Sequence, residues 1–131
     1  MNINAKLFLA LGALSAALSV ALGATGAHAL TNLPELSQAW FRTALQYQQF
    51  HALGLLAVGL LADRVDSRWI SLAGWLMIAG TLLFSGNLYL RSLADFHALH
   101  AVTPWGGMAF ILGWLALAVG VLVSTAARDR A

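Results

Sequence analysis

The chain has no cysteine, only two prolines and few charges: seven Lys or Arg and five Asp or Glu, together 9% of 131 residues. Without cysteine there is no disulfide, no thiol nucleophile and no thiolate-bound metal, so a metal would have to use His, Asp or Glu. The basic residues stand singly at predicted helix ends. The clustered stripe that nucleic-acid binding needs is missing, which sets nucleic acid aside as a partner. Serine nucleophile motifs, phosphate-cradling glycine loops and paired carboxylates at catalytic spacing are missing too. The expectation is a non-enzymatic protein with no cofactor.

What is present is hydrophobic surface: 60% of the residues are apolar, far more than a soluble domain of this length can bury. A membrane-crossing helix needs about 20 mostly apolar residues. Leu7 to Ala27, Trp69 to Leu90 and Pro104 to Val123 meet that requirement without a formal charge. Phe50 to Ala62 spans only roughly 20 Å as a helix and must borrow residues from Thr43 onward to cross. The predicted architecture is therefore all-α: one membrane domain over residues 1–131, a four-helix bundle with spans at 7–27, 43–62, 69–90 and 104–123. Asn32 and Pro34 mark the start of a short interfacial amphipathic helix before the second span, with Leu36, Trp40, Phe41, Ala44 and Tyr47 on its apolar face. Thr103 and Pro104 open the last helix.

With four spans both termini share a side with the loop from Asp63 to Arg68. That side carries Lys6, Arg64, Arg68, Arg128 and Arg130 against Arg42 and Arg91 opposite. The excess of positive charge puts both termini in the cytoplasm. Trp69, Tyr89 and Trp105 fall near span ends, where amphipathic rings favour the headgroup region. A competing reading takes Lys6, the apolar run and Ala27-His28-Ala29 as a cleaved signal peptide. The run is longer than a typical signal core, and Ser15, Ser19, Gly23 and Ala27 recur every four residues as if for packing. In the fourth span Gly106, Gly113 and Gly120, with Ala109 and Ala116, form a heptad seam of small residues that predicts near-parallel, left-handed packing against a neighbour.

Polar residues at membrane depth are costly and therefore functional suspects: Gln46, Gln48, Gln49, His51 and Asn87, all in the outer half. No carboxylate lies within any span, which argues against a proton-coupled antiporter built round a buried Glu. Three functions follow as expectations. The leading one is a bundle that acts as a packing partner, or binds a small molecule or lipid in an outer-leaflet polar pocket lined by His28, Gln48, His51 and Asn87. The second is a small transporter or channel, for which a chain this short must assemble into a homo-oligomer through its small-residue faces. The third is a metal or haem protein ligated by His28 and His51, with His97 and His100 in the outer loop as further candidate ligands.

The segments Gly23-Ala24-Thr25-Gly26-Ala27-His28 and Thr43-Ala44-Leu45-Gln46-Tyr47-Gln48-Gln49-Phe50-His51-Ala52-Leu53 resemble the paired motifs of the transmembrane protein 256 family, also described as domain of unknown function 423. Phe84-Ser85-Gly86-Asn87-Leu88-Tyr89, Thr103-Pro104-Trp105-Gly106-Gly107 and Gly113-Trp114 are similar to its later motifs. The resemblance covers about Gly12 to Trp114. It implies a small bacterial inner-membrane protein with four spans, the first of them retained, and it brings no activity with it. It also implies that His28, His51, Ser85, Gly86, Thr103 and Pro104 hold motif positions.

Overall fold

The computed structural model describes residues 1–129, with side chains through Ser124. Arg130 and the side chain of Arg128, both used above for orientation, lie outside the described residues. Every regular element among them is helical. Helix α1 is Ile3–Ala29, α2 is Glu35–Arg64, and α3, Arg68–Gly80, continues through a π-helical turn, Thr81–Gly86, into α4, Asn87–Leu93; α5 is Thr103–Asp129. Short 3-10 turns, Leu30–Asn32 and His100–Val102, lead into α2 and α5. Among the described residues, three stretches are long and apolar enough to cross a membrane: Ile3–Asn32, Arg68–Leu93 and His100–Ser124. Helix α2 is long enough at 30 residues but more polar.

Helices α1 and α2 run antiparallel, Gly26 against Phe41, Gly12 against Ala52 and Leu56, and Gly59 against Leu9. The chain enters α1 on the Asn2 cap, whose Oδ1 accepts the Ala5 N–H at 2.8 Å while its Nδ2 donates to the Ala62 carbonyl at 2.6 Å. Helix α5 runs antiparallel to the third span. The expected heptad seam makes that contact: Gly106 lies on the Leu83 and Phe84 backbone, Gly113 on Ala73 and Met77, and Gly120 on Trp69 and Ile70. Lipid tails supply no hydrophobic force between helices, so these close backbone approaches provide the attraction through dispersion contacts. The tightest core joins Ala5 and Phe8 of α1, Leu55, Val58 and Ala62 of α2, Ile70, Ala73 and Met77 of α3, and Ala116 of α5. It occupies the end of the bundle that holds the Val65–Ser67 loop.

Four details differ from the sequence reading. The amphipathic segment from Asn32 is not a separate helix, because α2 runs unbroken from Glu35; Phe41 and Ala44 are buried and Ser92 Oγ ties the first turn down through the Ser37 carbonyl at 2.7 Å. The packing face of α1 follows Ala5, Gly12, Ser19 and Gly26, whereas Ala27 is exposed. A seven-residue step falls only about 20° short of two turns, while a four-residue step overshoots by about 40°, so a four-residue series drifts off the interface. Tyr89 turns inward, its hydroxyl donating to Gln48 Oε1 at 2.6 Å. The third span contains the π-helical turn, where Thr81 Oγ1 donates back to the Met77 carbonyl at 2.9 Å and the close approach of Gly106 accommodates the widened backbone.

Candidate functional site

Away from the tight core, large aromatic side chains replace small ones and the packing opens. A cavity of about 580 Å³ lies between α2 and α5, floored by the π-helical turn, and is lined by Tyr47, Phe50, His51, Phe84, Phe110 and Trp114 with Met108, Ile111, Gly107, Pro104 and Gln46. Helical spacing puts this lining together: Tyr47 and His51 are four apart on α2, as are Phe110 and Trp114 on α5, so each pair shares a face. The rings form one cluster. His51 stacks on Phe110 with centroids 3.5 Å apart, Tyr47 tilts against Phe84 at 4.6 Å, and Phe50 packs on Trp114 at 5.4 Å.

His51 is buried, and its two nitrogens are both committed. Trp114 Nε1, which can only donate, lies 3.0 Å from His51 Nε2, and Nδ1 lies 2.8 Å from the Tyr47 carbonyl, which can only accept. These partners specify a neutral imidazole with its proton on Nδ1. Neither nitrogen keeps a lone pair for a metal. The ring therefore acts as a flat, hydrogen-bonded wall of the cavity.

Gln48 forms a second station. Its amide donates to the Ser15 carbonyl at 3.1 Å and its carbonyl accepts from Tyr89, joining α1, α2 and α4. Gln48 and His51 also border a narrower cleft of about 270 Å³ with Ser15 and Thr81. Asn87 does different work: its Nδ2 donates to the Leu99 carbonyl at 2.7 Å and to Thr103 Oγ1, bracing the outer loop. His28 is exposed at the end of α1. Gln48 meets α1 at Ser15, 13 residues before His28, which sets His28 about 20 Å away along the axis. So Gln48 and His51 are neighbours, while Asn87 and His28 stand apart from them. His97 pairs with Asp95, and His100 Nδ1 contacts the His97 carbonyl at 3.1 Å. Among the described residues, no three His, Asp or Glu side chains gather where a metal ion could be held.

Sequence reasoning looked for polar atoms and passed over the rings that build the cavity. The available signal was the pair of four-residue aromatic spacings on α2 and α5. That Trp114 would donate to His51 required knowing that the two helices meet there.

The family model described as Protein of unknown function (DUF423) matches residues 22–107. The chain is 44% identical over 119 residues to the membrane protein YwdK of Bacillus subtilis, covering 89% of this chain and 97% of that one. It is 42% identical over 120 residues to the membrane protein SSP2132 of Staphylococcus saprophyticus, covering 88% and 96%. The inner membrane protein YgdD of Escherichia coli K12 is 36% identical over 120 residues, covering 91% and 92%. No solved structure matches. Nearly end-to-end similarity to these membrane proteins, together with three apolar helices long enough to cross a bilayer, identifies this chain as a multi-pass membrane protein belonging to the DUF423 family.

Proposed function

We propose that this chain is a non-enzymatic four-span bundle of the bacterial inner membrane, with both termini cytoplasmic, that holds a small apolar molecule or a lipid chain between α2 and α5. One observation carries the reading: a cavity of about 580 Å³, within the range of ligand pockets, is walled almost entirely by aromatic and aliphatic side chains. Its most reactive group, His51, is occupied on both nitrogens, which favours holding a ligand over transforming one. The inner-membrane location is supported by the name of the Escherichia coli relative. The fourth crossing is supported by α2, whose 30 residues extend about 45 Å and pack along two apolar spans.

Gly107 lines the cavity, and a Cβ added there would approach nothing nearer than Phe84 Cδ2 at 3.8 Å. Gly107→Ala therefore keeps the space and Gly107→Leu fills it. In detergent, a fluorescent apolar probe such as 1-aminoanthracene should brighten on the wild type and on Gly107→Ala. Its affinity should fall by about tenfold or more on Gly107→Leu, the loss of roughly one buried aliphatic contact. Equal binding by all three proteins, or by none, would sink the proposal.

A further inference from the structure

Arg91 is the basic residue whose surroundings the rest of the fold does not explain. The central carbon of its guanidinium lies over the Trp40 ring, 4.3 Å from the centroid. A cation held over an aromatic ring in this way is attracted by the ring's quadrupole, which does not replace the oxygen acceptors that guanidinium N–H donors require. No carboxylate among the described residues pairs with it, and Asp95, the nearest acid in sequence, is engaged by His97. Arg91 Nε is shut off from water and has no acceptor. Whatever solvates this charge must come to the Nη groups.

Position gives the ligand its shape. Trp40 stands seven residues before Tyr47 on α2, about 10 Å beyond the cavity on the face that lines it, and Arg91 is held beside Trp40. From Trp40 to Phe50 is about 15 Å of helix, the depth of one hydrocarbon leaflet. His97 closes against the Trp40 ring at 5.5 Å, and Phe96, Leu99 and Trp105 expose apolar surface around the same end, as residues at a headgroup boundary do. A soluble anion would have no use for that surface.

We infer that the cavity takes one chain of an anionic phospholipid whose phosphate is held by the Nη groups of Arg91 on the Trp40 platform. This rests on the proposed binding of an apolar molecule between α2 and α5, and adds the headgroup charge and the residue that selects it. Phosphate oxygens match the fork of guanidinium donors, and a net negative headgroup is favoured over a zwitterionic one at an isolated cation.

The test is native mass spectrometry of the full chain in mild detergent with phosphatidylglycerol and phosphatidylethanolamine supplied in equal amounts, on the wild type, Arg91→Gln and Arg91→Lys. The wild type should retain phosphatidylglycerol in preference. Arg91→Gln should reduce that preference about fivefold, the effect of one basic residue at an anionic surface, and Arg91→Lys should recover most of it. Unchanged binding of 1-aminoanthracene by Arg91→Gln would verify that the variant is folded with its cavity intact. If the wild type retains both lipids equally, or Arg91→Gln keeps the preference, the headgroup assignment is overturned and the apolar cavity stands. If the wild type retains neither lipid and does not bind the probe, the cavity reading fails as well. An adduct of inorganic phosphate alone, or displacement of the lipid by it, would overturn the lipid in favour of a free anion.

Discussion

His51, Gln48 and Asn87 show how polar side chains survive in the dry interior of the bundle. Each is buried, and each uses its donors on a carbonyl or side chain of a neighbouring turn or helix, because an unpaired donor in a dry interior costs more than a hydrogen bond gains. The hydrogen bond from Trp114 to His51 is the one that crosses between α2 and α5 at the cavity. Trp114→Phe preserves the ring surface and removes the donor, and is expected to cost about 1 kcal/mol, read as an earlier unfolding midpoint in SDS titration. Gln48→Leu loses its bonds to Ser15 and Tyr89 together and is expected to cost about 1–2 kcal/mol in the same titration, with Tyr89→Phe recovering part of that loss in this background because it removes the hydroxyl left without an acceptor. At this scale the sequence singled out Gln48, His51 and Asn87 as unusual from their position inside apolar runs. It left their partners open, since Ser15, Tyr89, Thr103 and Trp114 lie 16 to 63 residues away in the chain.

The elements are held by backbone approach at small residues, and two adjacent glycines separate packing from cavity lining. A Cβ at Gly106 would stand 2.5 Å from the Phe84 backbone nitrogen, which cannot move without displacing the π-helical turn. Gly106→Ala is therefore expected to destabilise the bundle by about 1–3 kcal/mol. Gly107→Ala, one residue on, meets open space and is expected to be neutral or to stabilise by up to about 1 kcal/mol through helix propensity. Unfolding of the two variants side by side checks both. The glycine heptad in α5 was legible because small residues repeat on one face, and the structure seats it on the third span. The seam of α1 was misread as a four-residue series because Ser15, Ser19, Gly23 and Ala27 are all small. Only the partner helix reveals that the buried row is Ala5, Gly12, Ser19 and Gly26. The π-helical turn left no mark in the residue pattern, since it depends on how Gly106 and Thr81 pack and bond.

Across the whole molecule the two ends differ. The end with the Val65–Ser67 loop is packed by Ala, Val, Leu, Ile and Met around Phe8; the other carries the cluster of rings about His51, the cavity and the Arg91 and Trp40 pair. The absence of cysteine makes the proposed orientation directly testable. Single cysteines at Asp66 and Ala98, both exposed in loops at opposite ends, should label differently with a membrane-impermeant maleimide. Ala98→Cys is expected to react in spheroplasts and Asp66→Cys only after lysis. The reverse result would invert the topology, and equal labelling would remove one crossing.

Composition by itself determined the solvent and the class. So large an apolar fraction with charges confined to segment ends admits helices in lipid and little else, because unsatisfied backbone groups in a bilayer leave a single chain segment no alternative. Helix boundaries followed from the polar breaks, to within the few residues by which α2 absorbed its amphipathic lead. The cavity, the tautomer of His51 and the stacking of Arg91 on Trp40 were decided only by the tertiary structure. Each depends on which faces of separate helices meet, and a hydrophobic pattern in which nearly every face is apolar does not specify that.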